Sequence, residues 1–357
     1  MLRDHEAEAR KLLDRAAYDY FAGGALDERA VVANQSAYGR ISLHHRILRA
    51  AVEPDFSTTL LGQTLSMPVL VAPVAFQRMA HTDGEEATAR ACAGAGIVVV
   101  LSTTSNCSTA KVATAAKGAI WQQLYMMKDR GITSALVQGA EAAGCKAIVL
   151  TVDVPAWGRR ERDIRNGFAL PAGLVIESLL VPGRQDFYDG SFPTDLSTFI
   201  NERFKFDLTW DDVAWLRSIT RLPVVLKGIS HPEDGRLAAE QGVAAVFVSN
   251  HGGRQLDAAP ATIDMLPAIV DALEGRVPII VDGGIRRGTD VITALALGAQ
   301  AVAIGRPVLW GLACGGRQGA LDVLETLRAE IRNTMTLCGC AKLAEVSRDV
   351  IHEARRG

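Results

Sequence analysis

The strongest constraint on this chain is a repeat of form: short apolar runs, each ending in a polar or glycine-rich junction, alternate with segments of helical apolar spacing. The runs lie at 68–73, 97–102, 119–125, 147–153, 223–227, 244–250, 278–282 and 301–305. Each is strand-sized and largely apolar throughout, which suits a parallel sheet covered on both faces. Parallel neighbours in turn need a long crossover, usually a helix. Helical patterns at 85–95, 135–143, 232–241, 263–273 and 288–297 supply such crossovers. The alternation predicts an α/β fold, a closed (β/α)8 TIM barrel, with residues 1–357 forming a single domain.

Two stretches stand outside the alternation. Between the fourth and fifth runs the chain takes about 70 residues, far more than a common connection, so an insertion is expected there. It has no periodicity at 182–194, where Pro, Gly, Asp and aromatic residues crowd together, and 175–207 reads as a mobile lid over the barrel mouth. Residues 1–50 read as one or two helices and an extended segment, broken at Gly23-Gly24, that cap one end of the barrel.

Composition narrows the partners. A net charge of −2 over 357 residues gives no electrostatic reason to expect nucleic acid or an acidic membrane surface. No apolar run approaches the roughly 20 residues of a membrane-spanning helix, and residues 1–8 lack the apolar core of a secretory signal. Cys92, Cys107, Cys145, Cys314, Cys338 and Cys340 follow neither a disulfide nor a zinc spacing, so a cytoplasmic protein without metal is expected.

Barrel enzymes collect their chemistry at the C-terminal ends of the strands. Here those ends carry Ser102, Gln123, Thr151 with Asp153, Lys227, Ser249 with His251, Asp282, and Gly305 with Arg306. The stretch Ser249-Asn250-His251-Gly252-Gly253-Arg254-Gln255-Leu256-Asp257 sets a titratable imidazole three residues from a fixed cation, just beyond a buried run. Lys227 closes another apolar run, where an ammonium is costly unless it meets an anion. Asp282-Gly283-Gly284-Ile285-Arg286-Arg287-Gly288 follows the seventh run and opens a helix, and Ile304-Gly305-Arg306-Pro307 repeats the device after the eighth. Glycines there let backbone N–H groups approach a phosphate while an arginine neutralises it.

With these residues in place the chain resembles the FMN-dependent 2-hydroxy acid oxidase and dehydrogenase family, which includes glycolate, lactate and mandelate-oxidising enzymes. The likeness is nearly full-length. It runs through Tyr18-Asp19-Tyr20-Phe21, Ala72-Pro73-Val74-Ala75, Gln123-Leu124-Tyr125, Leu150-Thr151-Val152-Asp153, Gly158-Arg159-Arg160, Leu226-Lys227-Gly228, the His251 loop and the two phosphate loops. The segment Arg165-Asn166-Gly167-Phe168-Ala169-Leu170-Pro171 is similar to hydroxymandelate oxidases in particular.

The resemblance implies FMN as cofactor, His251 as the base, Asp153 as support for its imidazolium, Tyr125 on the substrate oxygen, and Lys227 at the flavin N1–C2 edge. It makes Arg254 the substrate carboxylate clamp, assisted by Arg160 and Tyr20. The remaining flavin contacts fall on Ala72, Pro73, Val74, Ala75, Ser102, Gln123, Thr151, Ser249, Asp282, Gly284, Arg286, Gly305 and Arg306. Departures bear on substrate choice. Phe21 stands where glycolate oxidase has a second tyrosine, Thr104 where it has a tryptophan, and Trp157 where it has a smaller aliphatic residue, while Phe76 adds an aromatic wall. The expectation is an (S)-2-hydroxy acid larger than glycolate, either aromatic like mandelate or lactate. Dioxygen is the expected acceptor, since no haem domain precedes the barrel, the insertion has no membrane anchor, and Ala75 fits the oxidase pattern. A quinone-linked dehydrogenase and a non-catalytic FMN-binding protein are the alternatives. A homo-oligomer, tetramer or octamer, follows from the resemblance.

Overall fold

Eight parallel strands close on themselves in a computed structural model that describes residues 2–50, 53–191 and 196–352. They are β1 (Val69–Val71), β2 (Val98–Leu101), β3 (Ile120–Leu124), β4 (Ile148–Thr151), β5 (Val224–Ile229), β6 (Ala245–Val248), β7 (Ile279–Asp282) and β8 (Ala301–Ile304). Each falls on one of the eight apolar runs, and each pairs with its sequence neighbours, β8 closing onto β1.

Alternation along the strands divides the apolar side chains between two cores. In β2, Val98 and Val100 enter the barrel interior, while Val99 and Leu101 join the larger core beneath the helices. Trp121 and Phe247, both fully buried, fill much of that interior. Truncating either to alanine removes about 3–5 kcal/mol of stability. An antiparallel hairpin of Thr58–Leu60 and Gln63–Leu65 adds Leu60 and Leu65 to the interior cluster and closes its N-terminal end. That plug leaves the C-terminal mouth as the open face.

The N-terminal segment forms three helices, α1 (Leu2–Leu12), α2 (Arg15–Ala22) and α3 (Arg29–Tyr38), instead of the one or two expected. Asp14 makes the extra break, its carboxylate accepting the Ala17 N–H at 2.8 Å as an N-cap. Gly23-Gly24 separates α2 from α3 as expected. The α2–α3 junction lies on the mouth, where Ala25 N–H donates to Gly253 O and Leu26 N–H to Arg159 O, both at 2.9 Å.

The long fourth connection holds helices Glu161–Arg165, Leu196–Arg203 and Trp210–Ser218. In its described part, Ile176, Leu179, Phe187, Tyr188, Phe199 and Ile200 are buried in the outer core. The region expected to be a lid is thus anchored by six apolar side chains, although 192–195 lie outside the described residues. The aromatic anchors are irregularly spaced, so no period in the sequence announces them. No helix among the described residues is long and apolar enough to cross a membrane.

Candidate active site

A cleft opens at the C-terminal mouth. Every strand but β6 has a lining residue within two positions of its C-terminal end, and β6 contributes through the His251 loop.

His251 is fixed by the turn that carries it. Its φ of 58° is left-handed, and Gly252 and Gly253 continue that hand at 64° and 76°. For histidine this conformation costs about 1–2 kcal/mol, and it is retained because the Ser249 Oγ accepts the His251 N–H at 3.1 Å and the ring is held on both sides. Nδ1–H donates to Asp153 Oδ1 at 2.9 Å, and the Tyr125 hydroxyl stands 3.4 Å from Nε2. Nε2 is therefore the basic nitrogen turned to the cleft. Burial pulls the imidazole below its ordinary value against the opposing pull of Asp153, and Lys227 lowers it further. Burial would raise the Asp153 carboxyl, but His251 and Lys227 outweigh it and hold it below the usual carboxylate range. The pair is thus carboxylate and neutral imidazole.

Gly228 makes room for this carboxylate. Its φ is +116°, and a Cβ there would stand 2.5 Å from the Asp153 Cβ. The ladder between β5 and β6 slips at this point, between Lys227 and Ile229. A bulge therefore aims Lys227 into the mouth. Its Nζ donates to Ser249 Oγ at 2.9 Å and lies 3.3 Å from Asp282 Oδ2. Burial disfavours the ammonium, but Asp282 and Asp153 prevail and keep it charged.

Among the described residues, five cationic side chains line the cleft, Arg160, Lys227, Arg254, Arg286 and Arg306, against the single carboxylate of Asp282. Such an excess calls for an anionic ligand. Arg160 is 7% exposed, its Nε has no partner, and no carboxylate pairs with it. Its guanidinium stacks over Trp157, 4.6 Å from the ring centroid, and burial lowers its pKa to about 10, with Arg254 adding to the effect. Arg254 spends one nitrogen on Tyr20 O at 2.7 Å and Gly23 O at 2.8 Å, with its guanidinium 5.1 Å from the Tyr20 ring centroid.

Two expected residues serve differently. Phe76 is not part of the lining; it is 2% exposed and packs behind Tyr20 at 5.7 Å between centroids, because its φ of 58° turns it into the core. Arg306 faces the cleft, but its side chain donates to Phe21 O, Gly252 O and Gly23 O at 2.8–3.0 Å and so clasps the α2–α3 junction. Ser249 and Asp153 stand behind the lining and act on it through Lys227 and His251.

Several contributors went unread in the sequence. Phe168 stacks on Tyr20 at 4.4 Å with an interplanar angle of 12°. Asn34 and Asn250 exchange two side-chain hydrogen bonds at 2.9 Å, tying α3 to the His251 loop. Asp257 accepts the N–H groups of Asp27 and Ala30 at 3.2 and 3.1 Å. Phe168, Asn250 and Asp257 fall in the motif stretches of the sequence, and nothing local gives their partners.

The family model for FMN-dependent dehydrogenases matches residues 9–353. The chain belongs to this family. It is 48% identical over 347 residues to the peroxisomal (S)-2-hydroxy-acid oxidase GLO4 of Oryza sativa subsp. japonica, covering 97% of this chain and 94% of that protein. It is 47% identical to the L-lactate oxidase of Nostoc sp., covering 98% and 97% of the two chains. A crystal structure of mandelate oxidase superposes with a TM-score of 0.90 at 41% identity, covering 98% of this chain and 97% of that one.

The residues fit the FMN of this family. Arg286, half-buried and held below its ordinary pKa by desolvation, has among the described residues no carboxylate in an ion pair with its side chain beside the Gly283-Gly284 turn, which suits a phosphate. The helix Arg306–Cys338 begins at Gly305 without a side-chain cap; Pro307 has no N–H and the Val308 and Leu309 N–H groups return to Gly305 O, which leaves the Arg306 N–H for the same anion. Asp282 Oδ1 is a buried acceptor with no donor, as a ribityl hydroxyl would require.

Proposed function

We propose that this flavoprotein oxidises an (S)-2-hydroxy acid larger than glycolate to the 2-oxo acid and passes the electrons to dioxygen, giving hydrogen peroxide. The observation that carries the reading is the pairing of a neutral, carboxylate-supported imidazole with an unpartnered guanidinium in one cleft. Arg160 and Arg254 bind the substrate carboxylate, for which a planar fork of charged donors is suited. Tyr125 steadies the oxygen on C2. Oxidation removes two electrons and two protons from the substrate, and His251 Nε2 takes one of those protons. As the ring becomes cationic, Asp153 stabilises it through Nδ1–H. Bound FMN supplies the two-electron acceptor, and Lys227 offers positive charge where reduction places negative charge.

Thr104 supports the larger substrate, since its small side chain is turned to Ser102 Oγ at 3.1 Å and leaves the wall open where a tryptophan would close it. Trp157, stacked on Arg160, offers a face to an aromatic group. The mandelate oxidase likeness agrees with this reading. Ala75, which fits the oxidase pattern, lies in the lining. Anaerobic titration with glycolate, lactate, 2-hydroxyoctanoate and mandelate, followed by air and peroxide detection, tests substrate and acceptor together. Preferred bleaching by glycolate defeats the substrate reading, and slow reoxidation by air beside fast reoxidation by a quinone defeats the acceptor reading. Absence of bleaching by all four acids favours a protein that only binds FMN.

A reducing, cytoplasmic location is supported by six cysteines that are all free thiols. A homo-oligomer is supported by Ile47 and Leu48, apolar side chains whose residues are 73% and 98% exposed. Size-exclusion chromatography with light scattering checks it.

A further inference from the structure

Two loops carry the groups that meet the substrate. The loop after β4 runs from Asp153 through Trp157 to Arg160, and the loop after β6 runs from His251 to Arg254. Among the described residues no main-chain hydrogen bond joins them directly. Gln255 does so instead. Its Nε2 donates to Asp153 O at 3.0 Å and to Ala156 O at 2.9 Å, while its Oε1 accepts the Gly158 N–H at 3.2 Å. Both amide hydrogens and the amide oxygen are thereby committed to one short stretch of the opposite loop.

The loops touch where this amide binds. A Cβ on Gly158 would stand 2.1 Å from Arg254 O and 2.9 Å from the Gln255 Cα, so only glycine permits the approach. Beyond the Asp153–His251 bond, the side-chain hydrogen bonds across this seam among the described residues are those of Gln255. Among the described residues the Arg160 guanidinium has no hydrogen-bond partner to fix it, so the position of its loop determines where it stands relative to Arg254.

We propose that Gln255 is a positioning residue that sets the separation of the Arg160 and Arg254 guanidiniums, and with it the affinity for the substrate carboxylate. The inference rests on the reading that these two arginines bind that carboxylate. Glutamine suits the role because glutamate would keep the bond to Gly158 but set a carboxylate against two carbonyl oxygens, and leucine or methionine would keep bulk without any bond.

The test uses the FMN-loaded full chain and its Gln255→Leu and Gln255→Met variants. Oxalate, a planar dicarboxylate with no C–H bond to oxidise, is titrated while flavin absorbance is followed, and KM and kcat are measured with the best 2-hydroxy acid. The expected result is an oxalate Kd and a KM raised about tenfold or more, since misplacement by about 1 Å is enough for losses of that order. FMN affinity, Tm and the pH of the acid limb stay near those of the parent protein, and kcat falls less than KM rises. Gln255→Met is read if Gln255→Leu fails to hold flavin. Unchanged oxalate binding and KM in a loaded variant overturn the proposal. So does loss of FMN affinity and Tm in both variants, which marks Gln255 as a structural support only. If no 2-hydroxy acid bleaches the parent protein but oxalate binds it, the functional reading fails and the oxalate titration still decides the role of Gln255.

Discussion

The loop after β4 and the loop after β8 each present a guanidinium to the same cleft, and they hold it in opposite ways. Arg306, after β8, donates to three backbone carbonyls and fastens the N-terminal helices over the mouth. Arg160, after β4, has no hydrogen-bond acceptor for its guanidinium among the described residues and stacks over the Trp157 ring. Both are pulled down by burial, to about 9 and about 10 respectively. The difference separates a cation bonded within the fold from one left open to a ligand. A bonded cation has been bought by the protein itself, whereas an unbonded one costs stability until an anion arrives.

The largest effect should come from the dyad that works between the two loops. His251→Gln or Asp153→Asn is expected to slow anaerobic flavin reduction by about 10³–10⁴-fold, the order found for carboxylate–histidine pairs elsewhere. Stopped-flow absorbance checks this, and a loss below tenfold would remove His251 from the chemistry. Next comes the contrast itself. Arg160→Met should raise KM by about 10²-fold, in line with the loss of a charged hydrogen-bonded partner, while Tm rises because an unpaired buried charge is gone. Arg306→Met should do the reverse, lowering Tm and FMN affinity by freeing three carbonyls. Calorimetry beside steady-state kinetics would break the comparison if both variants moved Tm the same way.

A smaller change sharpens the role of the open wall. Thr104→Trp should shift kcat/KM from mandelate toward glycolate by about 10–200-fold, the range that pocket volume alone supplies. The smallest effect concerns pH. The base works when neutral, and its folded pKa lies below 6.5 because burial outweighs Asp153. The acid limb of kcat/KM should therefore fall below pH 6.5, with activity constant above it until the Arg160 guanidinium, at about 10, begins to lose its proton, and an acid limb above pH 6.5 would contradict the neutral dyad.

Much of the barrel was legible in the chain. Strands buried on both faces must be apolar throughout, so the eight runs could be read one by one, and residues at their ends follow from the fold. Asp153, Lys227 and His251 were legible for that reason. Phe76 misled because its place after β1 says nothing of a left-handed φ that turns the ring inward. Arg306 is legible as a cation beside a glycine turn, while the three carbonyls that its side chain meets are not. The break at Asp14 hid in an apolar stretch, where a single capping carboxylate outweighs the periodicity on either side.

What the sequence determined by itself is local: the period of each element, the glycines that let backbone approach backbone, and the chemical kinds delivered to the mouth. Tertiary structure alone decided which of those groups are already partnered. The carbonyls that hold Arg306, the ring that stacks on Tyr20 and the amide that spans two loops come from distant parts of the chain. A hydrogen bond depends on separation and angle in space, and neither is written in the order of residues.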